Sequence, residues 1–481
     1  MRGLEVAHSK PGAGEAERST SLRGGWRDAA LNDSRLCFIH LMKTAGASFG
    51  LWLESQFDHA ATCPAWNPSD FDRIGTSRFN EYQLLRGHIV GKQIRRLGSE
   101  WQFVTVLRHP VDRLQSAYRW LRGLDESYWA TAEAAAAERQ ASLTVDAKHR
   151  GAANEAISNA QRLSFEEFAR SDAPAVRLWA ENPTVTQLGP VFDESVSRAD
   201  ICGSASETAA FLYALRSLQR YLAVGDIGAL DSIRELLCAE RCWAAPCVMP
   251  RIHETSHEKF PLNSDLKLAL IEKNRLDLVL YEFGRARAKV EHGELVEKAG
   301  GEAKVSGYLD QRHREVFFLR AHSTTEFSLD ASQAWPGCGW GLREYNATPQ
   351  YWRWIGASGA ASLLAKLEQG REYLVTVWLH TVSDPSLVEL LCAEVGGEPL
   401  CTADAGYSRG YCYRDWIISA PQVLASTGDV EIVLRIPEEA ARSGERVAVA
   451  AITCRPSRGT AGRLLVRAQR WLDRWAEGPP R

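Results

Sequence analysis

The chain has 481 residues, of which 45% are hydrophobic and 24% charged, and its formal net charge is −3. These values are ordinary for a globular protein, and the length suggests two or three domains. A slightly acidic chain offers no overall attraction to nucleic acid, so nucleic acid is not an expected partner and any basic site must be local.

The N-terminal residues 1–33 are polar and rich in glycine, which predicts a disordered tail. They lack the apolar core of a signal peptide, and no run in the chain reaches the roughly 18 apolar residues of a transmembrane segment. Eleven cysteines lie scattered along the chain, as is typical of a reducing compartment. The expected location is therefore cytoplasmic.

Cys238, Cys242 and Cys247 form a tight cysteine cluster in the sequence. Zinc sites usually contain CxxC pairs, and this cluster has neither such a pair nor an obvious fourth ligand. Structural or free thiols are therefore favoured over a metal site.

The first strand and helix are predicted around a short basic loop. Residues 36–41 (LCFIHL) form an apolar run that fits a buried strand, and residues 46–57 carry apolar residues on one face of a helix. Between them, Lys43 lies where unpaired helix N–H groups and the helix dipole attract an anion. The loop lacks the glycine pattern of a Walker A motif. In isolation, a solvated lysine at a helix start explains it equally well.

A second strand and helix follow in the stretch VTVLRHPVDRLQSAYRW. Residues 102–107 fit a strand, and Pro110 stands at the entrance of the next helix. Arg108 at the strand end and Ser116 on the helix can converge on one phosphate, for which the guanidinium offers a planar fork of donors. The alternative is a solvated basic helix face. Two strand–loop–helix units predict an α/β fold with a parallel sheet.

The rest of the chain changes character twice. Residues 205–290 show mainly helical patterns, and residues 291–305 form a polar stretch that predicts a linker. Strand-like segments separated by turn residues then predict a β-sandwich over 306–456. For residues 457–481, a basic amphipathic helix that caps the sandwich is favoured over one that makes peripheral membrane contact.

Two motifs resemble the nucleotide-binding segments of sulfotransferases. The stretch FIHLMKTAGAS is similar to their 5′-phosphosulfate loop, commonly P-K-T-G-G-T-S after a strand. The stretch VLRHPVDRLQSAYRWL is similar to their 3′-phosphate motif, commonly R-D-P-x-x-R-x-x-S-x-Y. The most similar family is that of the carbohydrate sulfotransferases of the heparan 2-O-sulfating type and their bacterial relatives. The resemblance covers about 36–290 and implies a P-loop-like parallel sheet flanked by helices, in a domain over 34–290.

The resemblance also implies a set of site residues. It assigns to the 5′-phosphosulfate the residues Lys43, Thr44, Ala45, Gly46, Ala47 and Ser48. It assigns Arg108 and Ser116 to the 3′-phosphate. His88, in LLRGHIVGK, takes the place of the catalytic base, with Glu54 or His109 next in line. Lys43 would stabilise the leaving phosphate, and no metal is required because lysine and arginine carry the charge.

The chain departs from the family pattern at four positions. Met42 replaces the usual proline, Ala45 a glycine, Ala47 a threonine and His109 an aspartate. The loss of the threonine removes one hydroxyl from the sulfate loop, while its backbone donor is retained.

Two further segments resemble family elements more weakly. The stretch LDLVLYEF (276–283) is similar to a D-x-x-L-Y helix late in the family domain, and NPTVTQLG (182–189) to a segment near the acceptor. Beyond this domain, the arrangement GW…E…WRW is similar to β-sandwich modules of bacterial glycan-modifying enzymes. This last similarity implies an accessory domain that positions the acceptor.

The function implied by the resemblance is transfer of a sulfuryl group from 3′-phosphoadenosine 5′-phosphosulfate (PAPS) to a hydroxyl of a carbohydrate or glycoconjugate. The transfer would be in line, with a histidine base. One alternative is a non-catalytic glycan-binding protein with a degenerate sulfotransferase domain, which the altered loop MKTAGAS keeps open. Another is a small-molecule kinase, although neither a Walker A pattern nor a magnesium-holding acid after a strand is found.

Overall fold

The structure is a computed structural model, and it describes residues 35–124, 147–189, 205–247, 249, 260–346, 350–355, 358–380, 389–408, 411–442 and 446–457. The expected tail over 1–33 lies outside these residues, as does all but the first residue of the expected C-terminal helix over 457–481. In the part of the chain that is described, no helix is long and apolar enough to cross a membrane.

A four-stranded parallel sheet, in the order β2-β1-β3-β4, forms the centre of the first region. Its strands are β1 (Arg35–Ile39), β2 (Leu84–Gly87), β3 (Trp101–Leu107) and β4 (Ala223–Asp226). Strands of such sheets are apolar on both faces because helices cover both sides. The predicted α/β region with a parallel sheet is thus confirmed. The strand β4 lies where the sequence patterns indicated only helix.

Alternate residues of β1 face opposite helix layers, as the two-residue period of a strand requires. Leu36 and Phe38 pack in one core with the helices Gly46–Glu54 and Leu230–Arg241, while Cys37 and Ile39 pack in a second core with the helices Pro183–Leu188 and Ala205–Arg220. The helices of this region are α1 (Gly46–Glu54), α2 (Pro68–Ile74), α3 (Gly91–Ile94), α4 (Pro110–Arg122), α5 (Ala147–Arg162), α6 (Phe165–Arg170), α7 (Pro174–Ala180), α8 (Pro183–Leu188), α9 (Ala205–Arg220), α10 (Leu230–Arg241), α11 (Ser264–Lys273) and α12 (Arg275–Ala299).

The stretch 291–305, expected to be a linker, contains the end of a long helix. The helix α12 continues to Ala299 because its Glu, Lys and Ala residues favour helix and Leu295 packs in the core. Gly300 ends it in a left-handed conformation, and α13 (Val305–Arg320) begins a few residues later. The division of the chain into separate domains stays a prediction.

Two antiparallel sheets form the second region, which is β-sandwich-like, as predicted. A shared apolar core contains residues of both sheets, such as Leu363 and Ile432 of one and Val375 and Trp416 of the other. The four-stranded sheet consists of β8 (Ala360–Lys366), β10 (Cys392–Val395), β11 (Glu398–Pro399) and β14 (Asp429–Arg435). The seven-stranded sheet consists of β5 (Phe327–Asp330), β6 (Trp340–Tyr345), β7 (Tyr351–Ile355), β9 (Tyr373–Leu379), β12 (Cys401–Ser408), β13 (Tyr411–Ile418) and β15 (Ala448–Pro456). Two short helices, α14 (Ala420–Ala425) and α15 (Glu438–Arg442), complete the region.

Candidate functional site

Three of the predicted site residues follow the carboxyl ends of three neighbouring parallel strands. Lys43 lies after β1, His88 directly after β2 and Arg108 directly after β3, and β1 pairs with both of the other strands. In open α/β sheets, ligands bind in the crevice at this edge. The fold therefore brings together residues that are up to 65 positions apart in the sequence.

Lys43 and Arg108 are in direct contact. The Nη1 of Arg108 donates a hydrogen bond to the main-chain oxygen of Lys43 at 3.1 Å. The ammonium of Lys43 lies 5.1 Å from the ring centre of Trp120, on the helix that follows Arg108, which is within cation–π range. The two predicted phosphate-binding segments thus meet at one place.

The electrostatics of this place favour an anion. Burial, together with the smaller effects of the charges of Arg108 and Arg119, lowers the pKa of Lys43 to about 8. Burial also lowers the pKa of Arg108, although Asp112 opposes the shift. Among the described residues, no carboxylate forms an ion pair with Lys43 or Arg108. Partly buried cations of one sign raise the free energy of the folded protein unless an opposite charge joins them.

The loop between β1 and α1 has two residues in left-handed conformation, Lys43 with φ 66° and Ala45 with φ 61°. Such turns are typical of backbone nests that bind anions. Ala45 is the N-cap of α1 and provides no side-chain cap, so the first N–H groups of the helix lack the partner that a capping oxygen would supply. The hydroxyl of Thr44, a predicted donor, is buried and donates to the oxygen of Leu41 at 2.8 Å. Its proton therefore stabilises the loop itself.

Gly46 is required by the close approach of His40. A Cβ atom at position 46 would lie 1.8 Å from Cδ2 of His40. His40 is buried, with only 8% of its surface exposed. Burial, followed by the charges of His88 and Lys43, holds its pKa well below the ordinary value, so the ring is neutral. A neutral ring can lie close to Lys43 without repelling it.

His88 is oriented by its neighbour on the adjacent strand. Its Nδ1 lies 2.9 Å from the main-chain oxygen of His40, and the two rings stack at 4.4 Å between centroids. A carbonyl oxygen only accepts hydrogen bonds, so Nδ1 must carry the proton. In the neutral ring, Nε2 then carries the lone pair and is the basic atom. This arrangement is the one that a general base needs.

The glycine that precedes His88 is also required for a steric reason. Gly87 has φ 144°, and a Cβ atom there would lie 2.3 Å from the main-chain oxygen of Trp66. The same oxygen accepts a hydrogen bond from the N–H of His88 at 2.8 Å. A glycine at position 87 therefore allows the main chain of Trp66 to come close enough to hydrogen-bond the N–H of His88 and hold its backbone in place.

The two segments with weaker family resemblance support the histidines. Gln187 of α8 donates to the main-chain oxygens of His40 at 3.0 Å and Ile89 at 3.2 Å. The buried carboxylate of Asp277, on α12, accepts from the N–H groups at the start of α8 at 2.9 Å. Segments 182–189 and 276–283 thus form one unit behind the site. Sequence reasoning did not find these roles, and the Asn-Pro start of α8 was the only local signal.

The remaining predicted residues lie near the same edge but differ in their contacts. Ser48 and Ser116 are both buried, on α1 and α4. Glu54, one alternative base, forms an ion pair with the partly buried Arg86. His109, the other, packs its ring against Tyr281 at 5.4 Å. Within the described ranges, no group of three or more His, Cys, Asp and Glu residues is placed to hold a metal ion.

No family model matches the chain, and no curated protein is similar enough to count as a relative. The capabilities of the site follow from its own chemistry. Two cations whose charges interact, helix N–H groups and a histidine with a basic Nε2 make it suited to an anionic group that reacts beside a proton acceptor.

Proposed function

We propose that the chain is a sulfotransferase that transfers the sulfuryl group of PAPS to a hydroxyl of a carbohydrate or glycoconjugate. The observation that carries the proposal is the contact between Lys43 and Arg108 at the carboxyl edge of the sheet. Each residue belongs to a different phosphate-binding motif, and neither has a carboxylate ion-pair partner in the described part of the chain. The parallel sheet would be the P-loop-like sheet of that family.

The residues present fit an anionic nucleotide. Lys43 and the N–H groups at the start of α1 would bind the 5′-phosphosulfate, and the left-handed Ala45 leaves those groups without a side-chain cap. Arg108 and Ser116 would bind the 3′-phosphate, for which a guanidinium is suited. Hydrogen bonds to charged groups contribute about 1.5–3 kcal/mol each, more than exposed ion pairs contribute.

The chemistry is a displacement at sulfur, for which the bound nucleotide supplies the sulfuryl group. A bond forms between the acceptor oxygen and sulfur, and the bond from sulfur to the bridging phosphate oxygen breaks. His88 would take the hydroxyl proton on Nε2, because its Nδ1 is already protonated against His40. Lys43 would stabilise the charge that develops on the bridging oxygen. Adenosine 3′,5′-bisphosphate is the second product.

Calorimetric titration with adenosine 3′,5′-bisphosphate and with ATP tests the donor. Binding of the bisphosphate in preference to ATP supports the proposal, whereas preference for ATP with magnesium would favour a kinase. Absence of binding by both nucleotides would overturn the proposed donor site.

A screen of cellular glycans and lipids with radiolabelled sulfate donor tests the reaction. Label that appears in a glycan with the unmodified chain, and not with Lys43→Ala, supports transfer. Tight bisphosphate binding without transfer to any acceptor would favour a non-catalytic glycan-binding protein.

A further inference from the structure

Two buried arginines of the β-sandwich-like region lie against the C-terminal end of α1, the helix that begins beside Lys43. Arg343 on β6 and Arg353 on β7 are paired across the two antiparallel strands. Their exposed fractions are 7% and 4%. Fully charged side chains are rarely buried to this degree without specific partners.

The partners are main-chain oxygens at the end of α1 and just beyond it. Arg343 donates from Nη2 to Glu54 at 2.6 Å and from Nη1 to Phe57 at 2.7 Å. Arg353 donates from Nη2 to Ser55 at 2.7 Å. The last carbonyl groups of a helix lack intrahelical donors and carry partial negative charge, so cations stabilise this end.

The same arginines bind their own region at the same time. Arg343 also donates to the oxygen of Ser332 at 2.8 Å, and Arg353 to that of Gln333 at 2.9 Å. Burial, together with the smaller effect of the charge of Arg343, lowers the pKa of Arg353 to about 9. Each guanidinium therefore joins the two regions, and its hydrogen bonds counteract the desolvation cost of the buried charge.

The contact also extends to the strand that leads to His88. The carboxylate of Glu54 forms an ion pair with Arg86 on β2, two residues before His88. The same carboxylate counteracts the lowering of the pKa of Arg343. The guanidinium of Arg86 in turn lies 4.8 Å from the ring of Trp66. The end of α1 thus connects Arg343 and Arg353 with His88, through Arg86 on β2. The helix itself connects them with the loop that contains Lys43.

We infer that Arg343 and Arg353 are positioning residues, which fix α1 at its C-terminal end and thereby hold the anion-binding loop at its N-terminal end. The β-sandwich-like region is then a structural part of the site and not a detachable accessory domain. The inference deepens the proposed function. Its consequence for nucleotide binding rests on that function, whereas its consequence for the stability of α1 does not.

Hydrogen exchange of the full chain, measured by mass spectrometry without any ligand, tests the mechanical part. In Arg343→Gln and Arg353→Gln, we expect exchange in a peptide covering 46–57 to accelerate by about tenfold, because the helix end loses its charged donors. A peptide covering 110–122, on the other side of the site, should exchange as before. Arg435→Gln is the matched control, since Arg435 forms an exposed ion pair with Glu394 in the same region.

Unchanged exchange over 46–57 in the folded variants would overturn the inference, as would equal acceleration in every peptide. Arg343→Lys retains a charge and a donor and should restore part of the protection. The affinity for adenosine 3′,5′-bisphosphate should fall by about tenfold in Arg343→Gln and recover in Arg343→Lys. If the unmodified chain does not bind this nucleotide, the proposed function fails while the exchange result still decides the role of the arginines.

Discussion

The guanidinium of Arg108 donates a hydrogen bond to the main-chain oxygen of Lys43 at 3.1 Å, across 65 positions of sequence. The contact fixes the left-handed turn at Lys43 against the end of the neighbouring strand. The charge of Arg108 also adds to the effect of burial in lowering the pKa of Lys43, so two like charges interact at this place, which favours an anion. Arg108 therefore contributes both to the geometry of the loop and to the charge of the site.

Replacement of Arg108 by alanine should weaken binding of adenosine 3′,5′-bisphosphate. We expect a loss of about tenfold to a hundredfold, corresponding to one or two charged hydrogen bonds. Calorimetry measures the change. Arg96→Ala is the control, because Arg96 makes an exposed ion pair with Asp72. Equal affinities of the Arg108→Ala variant and the unmodified chain would remove Arg108 from the site.

Replacement of Lys43 by methionine should abolish transfer and yet stabilise the protein at neutral pH. The folded pKa of about 8 lies below the ordinary 10.5, so the unfolded chain binds more protons between these values. Burial of the ammonium therefore costs stability below pH 8, and this cost disappears as pH rises toward 10.5. Without the charge, the free energy of unfolding at pH 7 should rise by about 1–3 kcal/mol.

Denaturant unfolding at pH 7 and pH 10 checks this sign. The gain of the Lys43→Met variant over the unmodified chain should be smaller at pH 10. Lys267 is exposed, and Lys267→Met should change stability little at either pH. A Lys43→Met variant that is less stable than the unmodified chain at pH 7 would contradict the conclusion that burial of the Lys43 ammonium costs stability.

The sequence predicted the strands that position the candidate residues better than it predicted their surroundings. Long apolar runs indicated β1 and β3, and the structure places Lys43 and Arg108 just after the ends of these strands. The strand β4 has only four residues, too few for a period, and its neighbours favour helix. The contact of Arg353 with Ser55 spans 298 positions, and no local pattern distinguishes a strand arginine that faces solvent from one that meets a distant helix end. Tertiary packing alone determines such partners.

His88→Asn separates the base function from the structural function of His88. An asparagine amide can donate to the oxygen of His40, as Nδ1 does, but it cannot accept a proton as Nε2 does. The variant should fold normally and lose at least about 10²-fold in transfer rate. His109→Asn is the control, since His109 is the next candidate. Full activity in His88→Asn, with loss in His109→Asn, would move the base to His109.

Gly46→Ala tests the close packing beneath the loop between β1 and α1. The new Cβ would lie 1.8 Å from His40, whose ring also packs against His88 at 4.4 Å and Trp66 at 5.3 Å and cannot easily move. We expect a loss of about 1–3 kcal/mol in the free energy of unfolding and weaker binding of adenosine 3′,5′-bisphosphate.

Gly151→Ala is the matched control, because a Cβ at this exposed position of α5 meets no atom of the described residues within 4 Å. Alanine there should be neutral or stabilising, since it favours helix. A double-mutant cycle of positions 46 and 40 tests whether the cost of Gly46→Ala comes from a clash with the ring of His40. Gly46→Ala should cost less in a His40→Ala background, where the opposing ring is gone. An equal cost in both backgrounds would show that the ring of His40 is not what requires glycine at position 46.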